Sequence, residues 1–513
     1  MNKPLPKRSQ GFSRRQLLEE TLLSAAAAAA AASVAGCAGS GSVAGGKPAA
    51  PSDRLRVAIV GLNGRGMSHV RAFAKRDDTE IVAICDVDKE AFGPALRTVR
   101  GRQSRDPVCV QDLRRVLDDR SIDAVSIATP NHWHALGASW AVQAGKDVYL
   151  EKPVSHHGHE GRVLVDLARQ HGRIVQTGSQ SRSNPGMRQF IDYVRSGKLG
   201  KVQLARGLCY KRRKSIGQVA RPQPPPGHLD YDLWLGPAPR RADVPRERLH
   251  YDWHWQWAYG DGDIGNQGVH EMDKARWGLG KQSLPSSVVA IGGRFGYQDD
   301  GETPNTQVCF YDYGDAQLIF EVRGLDTDRL SGVKVGNIFY GDQGFGVSTS
   351  YSSGTIFDRD GDEVAHFGGD GDHFDNFVQA VRSRRHTDLT ADVEDGHLSA
   401  ALCHLGNISY RLGSAQPRGS LPAALAPTPN AEEAFVRFER HLLDNDVPVA
   451  KASFTLGLPL GVDPAAERLL DGGAEAAALW QPSYRAGFAL PAPVLAPANA
   501  RAGTGARAEP SGT

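Results

Sequence analysis

At 513 residues, with 40% of them hydrophobic and 23% charged, the chain is long enough for two folded domains and has the make-up of a soluble globular protein. Lys and Arg number 60 against 58 Asp and Glu, so no broad basic field exists to hold a nucleic-acid backbone. Six cysteines without a CxxC pair, and no HExxH spacing, argue against a zinc site or a disulfide framework, and no metal is expected.

The chain opens on Ser13-Arg14-Arg15-Gln16-Leu17-Leu18 followed by an alanine run, Ala25 to Ala32. A twin arginine before an apolar stretch resembles the twin-arginine signal that exports folded proteins across a bacterial inner membrane. Residues 1–37 are assigned to it. The segment ends Ser33-Val34-Ala35-Gly36-Cys37, which is similar to a lipobox with Cys37 as the lipidated residue, although Ser33 stands where leucine is usual. Plain cleavage is the alternative, so the expected location is the periplasm, free or anchored on that side of the membrane. Residues 38–54, rich in Gly, Ser, Ala and Pro, read as a linker. The other cysteines (Cys85, Cys109, Cys209, Cys309 and Cys403) sit in apolar or mixed runs and are expected to be small buried side chains.

Arg56-Val57-Ala58-Ile59-Val60 is a short β-branched run that leads directly into Gly61-Leu62-Asn63-Gly64-Arg65-Gly66 and a helical pattern from Met67 to Lys75. Strand, glycine turn and helix in succession aim backbone N–H groups and a helix N-terminus at a pyrophosphate. Gly61 makes the tight turn, Asn63 stands in place of the second glycine, and Gly66 allows the helix to lie close on the strand. The next strand, Glu80 to Cys85, ends in Asp86, 20 residues past Gly66, where a carboxylate accepts from the ribose hydroxyls and repels a 2′-phosphate. The cofactor read from this spacing is NAD. A third strand, Asp123 to Ala128, runs into Thr129-Pro130-Asn131-His132-Trp133-His134, and a fourth, Asp147 to Leu150, into Glu151-Lys152-Pro153. Alternating strands and helices predict a doubly wound parallel sheet over 55–178, with Thr129, Pro130, Asn131, His134, Glu151 and Lys152 at its cofactor-binding edge.

From 179 to 415 the pattern changes to longer alternating strands, which predict an α+β domain on an open, mostly antiparallel sheet. The aromatic stretch Tyr251 to Tyr259 supplies flat faces suited to sugar rings, with His254, Trp255 and Trp257 as candidate substrate contacts; burial in the core is the alternative. Lys211-Arg212-Arg213-Lys214 reads as a solvated surface rather than an anion site. Residues 416–513 read as an extension without a functional account, helical near 431–443 and disordered from about 491.

GLNGRG, Asp86, ATPNHWH, EKP at Glu151 to Pro153 and GDIGNQGVHEMD from Gly262 to Asp273 together resemble the Gfo/Idh/MocA family of sugar oxidoreductases. The resemblance implies that Lys152 lies against the nicotinamide and the reacting hydroxyl, that its bond to Pro153 is often cis, and that the substrate sheet often forms an oligomer interface. In the family's Asp-x-x-x-His segment His270 matches, but Asn266 occupies the aspartate position. An amide is no general base, so proton transfer falls to His270 and Lys152, and Asn266 is left to position a substrate hydroxyl. The implied activity is NAD-dependent oxidation of a sugar hydroxyl. A redox-neutral glycosidase, similar to the NAD-dependent N-acetylgalactosaminidases, and a noncatalytic sugar-binding protein are the alternatives; a homo-oligomer is expected.

Overall fold

The computed structural model describes residues 53–244, 246, 248–448 and 452–492; the twin-arginine segment, Cys37 and the stretch from 493 onward lie outside them. Strands β1 (Leu55–Val60), β2 (Thr79–Cys85), β3 (Val108–Val110), β4 (Ala124–Ile127), β5 (Asp147–Leu150) and β6 (Val175–Thr177) form a parallel sheet in the order β3-β2-β1-β4-β5-β6. The order reverses beside β1, and the carboxyl ends of β1 and β4 open the crevice where such sheets take ligands. Both faces are covered, as an all-parallel sheet demands. Val57, Ile59, Ile81 and Ile84 pack on one side and Ala58, Val60, Val125 and Leu150 on the other.

Helix α1 (Arg65–Ala74) begins two residues before the position read from the sequence, because Gly64 rather than Asn63 takes the positive φ that turns the chain. Asn63 has no left-handed backbone; its carbonyl accepts from Gly66 N at 2.9 Å and closes the turn. Helices α2 (Asn131–Gln143) and α3 (Gly158–Gln170) follow β4 and β5.

The second sheet is built from β7 (Leu204–Cys209), β8 (Ser287–Gly293), β9 (Thr306–Asp312), β10 (Gln317–Arg323), β11 (Val335–Gly341), β12 (Gly344–Ser348), β13 (Ser353–Asp358) and β14 (Glu363–Gly368). It is antiparallel except where β7 runs beside β10. Helix α4 (Val269–Gly278) crosses its inner face, where Met272 and Ala275 meet Phe320 and Phe339. Helix α5 (His373–Ser383) returns to the first domain, with Phe374 and Phe377 against Phe73.

The residues after 415 are part of this architecture rather than an appendage. Strands β15 (Ser414–Pro417) and β16 (Ser453–Leu456) extend the large sheet beyond β8. Between them α6 (Ala431–Asp444) lays Ala434, Phe435, Phe438 and Leu442 on the outer face of β8, β9 and β10, over Ile291, Phe310 and Ile319. The spacing of those apolar residues is the helical stripe that buries one face. Arg437 of α6 reaches the fully buried Glu321 of β10 at 2.5 Å. Cys85, Cys209, Cys309 and Cys403 are buried as expected, whereas Cys109 is exposed on the edge strand β3.

Candidate active site

A cavity of about 470 Å³ runs along the carboxyl ends of β1, β2, β4 and β5 to the substrate domain, a size ordinary for a small-molecule site. Gly61, Asn63, Gly64, Arg65, Asp86, Thr129, Pro130, Asn131, His134, Glu151, Lys152, His254, Asn266 and His270 all line it. Gly66 lies behind the wall instead: a Cβ there would sit 1.9 Å from Gly61 O, so the helix lies close on the strand because residue 66 is glycine. Gly61 has φ +81, and a Cβ there would strike Ala128 O at 2.6 Å. At Gly64, the N-cap of α1, no side chain caps the helix and nothing stands within 4 Å of the position a Cβ would take, so a ligand can approach the backbone at the start of α1.

Asp86 accepts from Leu62 N at 2.7 Å and from Asp88 N at 3.0 Å, which fixes its carboxylate at the cavity wall. A carboxylate has about four lone-pair sites, so acceptor capacity remains for ribose hydroxyls. Burial raises its pKa. Thr129 Oγ1 and Trp234 Nε1, on two residues of the wall, are buried without any hydrogen-bond partner, as polar groups awaiting a ligand are. The residues present therefore fit a dinucleotide.

At the far end Glu151 carries the electrostatics. Burial opposes its ionisation, but Arg65 Nε at 2.7 Å and His69 Nε2 at 3.2 Å outweigh it and hold the carboxyl well below the ordinary range. Lys152 follows, with a cis bond to Pro153, and its Nζ donates to Asn266 O at 2.5 Å. Burial lowers the pKa of this ammonium. Asn266 lies in a π-helical turn, Ile264–Gly268, that leads into α4, and it is its backbone carbonyl that meets Lys152. His270 sits in the first turn of α4 on the same cavity; burial, then the charge of Lys152, push its pKa well below 6.5. Burial and the neighbouring Lys152 thus favour the neutral imidazole of His270. Behind it the buried Asp261 accepts from Asn131 Nδ2 at 3.0 Å and faces His404 and His156 at 3.5 and 3.9 Å, tying the start of α2 to the π turn.

The aromatic stretch divides differently from the sequence reading. Tyr251, Trp253 and His254 line the cavity, with the Trp253 and His254 rings stacked at 3.6 Å. Trp255 and Trp257 do not: Trp255 is 5% exposed beneath the Arg213 guanidinium, and Trp257 lies under Arg411. The 3-10 turn over Trp253–Trp255 keeps Trp253 and His254 at the cavity while Trp255 turns into the interior. Arg213 itself, read as solvated surface, is held by Asp263 at 2.5 Å. His134 braces the wall by spanning Thr129 O and Pro153 O.

Residues missed by the sequence reading include Gln111, Trp133, Trp234, His250 and Tyr351, all on the cavity wall. Trp133 was within the motif; the others had no local signal. Two of them, Trp234 and His250, belong to a strap between residues 228 and 255 that lies along the Asp86–Asp88 side of the crevice. Asp88 accepts from His228 Nδ1 and His250 Nε2, each at 2.8 Å. Asp230 N donates to Val87 O, His132 Nε2 meets Trp234 O, and Trp133 Nε1 donates to Leu233 O. Among the described residues, Asp88, Glu90 and His228 also form the group spaced to hold a metal ion. The tail of the chain closes over this wall: Arg485 donates to Gly236 O, and Phe488 packs on Trp133 and Trp140.

A family model described as an oxidoreductase family with an NAD-binding Rossmann fold matches residues 55–179, and its companion, a C-terminal alpha/beta domain, matches 193–418. The chain belongs to the Gfo/Idh/MocA family. NAD is the cofactor of its first domain. Levoglucosan dehydrogenase of Pseudarthrobacter phenanthrenivorans is 26% identical over 241 residues, 46% of this chain and 54% of that protein. Glycosyl hydrolase family 109 protein 2 of Shewanella sp. strain MR-4 is 33% identical over 173 residues, 31% of this chain and 37% of its own. The chain thus spans about half, or less, of the curated relatives it matches. The WlbA dehydrogenase of Bordetella pertussis, solved with NADH and UDP-GlcNAcA, superposes with a TM-score of 0.53 at 20% identity, over 70% of this chain and 97% of that one, and shares the Gfo/Idh/MocA fold.

Proposed function

We propose that this protein oxidises a hydroxyl of a sugar or sugar derivative. The observation that carries the reading is the meeting of Lys152, Asn266 and His270 in one cavity with the glycine turn and Asp86. When bound, NAD supplies the hydride acceptor. The hydroxyl proton must leave with the hydride, and the His270 imidazole, kept neutral by burial and by Lys152, is the group that takes it. The Lys152 ammonium donates to the same oxygen as negative charge gathers there. Glu151, held by Arg65, attracts the Lys152 ammonium and accepts from its backbone N–H rather than reacting. Relatives named as acting on levoglucosan and inositol support a polyhydroxylated substrate.

The strap favours a second reading in which the cofactor stays bound and is restored within each turnover: oxidation, elimination of a glycosidic group, hydration and return of the hydride. Its two histidine contacts to Asp88 and the Phe488 buttress slow exchange of a dinucleotide beneath it, and the Shewanella relatives are named as glycosyl hydrolases. The twin-arginine segment and the sequence ending in Cys37 support export of the folded protein to the periplasm, either free after cleavage or anchored by a lipid at Cys37. Purified protein is to be denatured to release NAD, and the native protein screened against free sugars and glycosides with Lys152→Ala as control. Net formation of NADH supports the dehydrogenase, and glycoside cleavage without it supports the redox-neutral route. Inertness of both proteins refutes both and leaves a sugar-binding module.

A further inference from the structure

Tyr351 reaches the cavity from the other side of the substrate domain, in the turn between β12 and β13. Its ring lies 4.9 Å from that of His270. The turn is held: Asn184 Nδ2 donates to Tyr351 O, and Ser350 Oγ accepts from Ser352 N and Ser353 N. The phenol oxygen has one contact among the described residues, Gln267 Nε2 at 3.0 Å.

The surroundings of Gln267 decide which partner gives the proton. Lys211 Nζ, which can only donate, faces Gln267 Oε1 at 3.4 Å. The carboxyl of Glu271, fully buried, faces Gln267 Nε2 at 3.3 Å. The amide is therefore oriented with its oxygen toward the lysine and its N–H groups toward Glu271 and Tyr351. With its oxygen already accepting from the amide, the Tyr351 hydroxyl has its own proton left over, and no described group accepts it. Burial, followed by the nearby Glu271, pushes the Tyr351 pKa up, so the hydroxyl keeps that proton.

We propose that Tyr351 donates a hydrogen bond to a substrate oxygen next to the one His270 faces, and so selects sugars that carry an acceptor at that position. Lys211, Gln267 and Glu271 are positioning residues that set the direction of the donor. The proposal rests on the sugar-oxidising reading above, and names a specificity determinant for that site.

Tyr351→Phe keeps the ring and removes the donor; NAD stoichiometry and thermal unfolding verify that the variant is folded. Wild type and variant are compared on the best sugar of the screen and on its monodeoxy analogues. The expected result is a fall in kcat/KM of about tenfold on the parent sugar, with no difference between the two proteins on the one analogue that lacks the contacted oxygen. Equal kcat/KM of the two proteins on the parent sugar overturns the proposal. So does a loss of the same size on every analogue, which marks a structural role. No turnover of any sugar by the wild type refutes the proposed function and this inference together, whereas turnover without the analogue-specific difference refutes only the inference.

Discussion

Replacing Lys152 by Met keeps the length and volume of the stem and removes the charge that the site is built around. The Nζ lost is the donor to Asn266 O at 2.5 Å, and it is also the second cause, after burial, of the depressed pKa of His270. Two effects are expected. The hydroxyl oxygen loses its donor as charge develops on it, for which general acid–base and electrostatic contributions give a loss in kcat of about 10²–10⁴, or roughly 3–5 kcal/mol. His270 also loses one of the influences that keep it neutral. In the wild type its folded pKa lies well below 6.5, so the acidic limb of the rate profile lies below the ordinary histidine range. In Lys152→Met protonation sets in at higher pH, and the limb moves up. The assay is single-turnover reduction of bound NAD across pH, followed by the absorbance of the reduced nicotinamide. A loss smaller than tenfold, or an acidic limb that stays where it was, refutes the coupling of the two residues.

Gly61→Ala combines a positive φ with a Cβ that would lie 2.6 Å from Ala128 O, so NAD binding should be lost while the protein stays folded; calorimetric titration with NAD checks it, and unchanged affinity contradicts the turn geometry. Asp88→Asn weakens the acceptor shared by His228 and His250, and release of NADH, read by its fluorescence, should quicken about tenfold. Phe438→Ala empties a fully buried site between α6 and the large sheet and should cost about 3–5 kcal/mol in denaturant unfolding; a change under 1 kcal/mol would mean α6 is not docked.

The first domain was readable because its elements announce themselves. Val57 to Val60 and Ala124 to Ile127 are short, mostly apolar runs bounded by turn residues, as buried strands are, and each ends in residues that the parallel order brings to one edge. Lys152 and His270, far apart in the chain, were placed by family resemblance and by where strand ends face, not by any local pattern. Asn266 was read for its side chain and lies on the cavity wall, while the contact of its carbonyl with Lys152 follows from the π turn and has no sign in the sequence. Which aromatics of this stretch face the cavity depended on the path of the chain through residues 253–257, which composition does not encode. Tyr351 stands in a serine-rich turn with no mark of function, and only the path of β12 and β13 brings it to His270. The helix near 431 was visible as an apolar stripe, but which surface it would cover was not, since its target is assembled from three strands.

The contact of Phe488 with Trp133 has a consequence for a truncated chain. The lining of the dinucleotide crevice comes from residues between 60 and 351, and Phe488 backs it through Trp133, so a chain lacking its last stretch has the cradle without that backing. A polypeptide cut short before Phe488 is expected to hold the dinucleotide more weakly, since Trp133 and Trp140 then lose the ring packed against them.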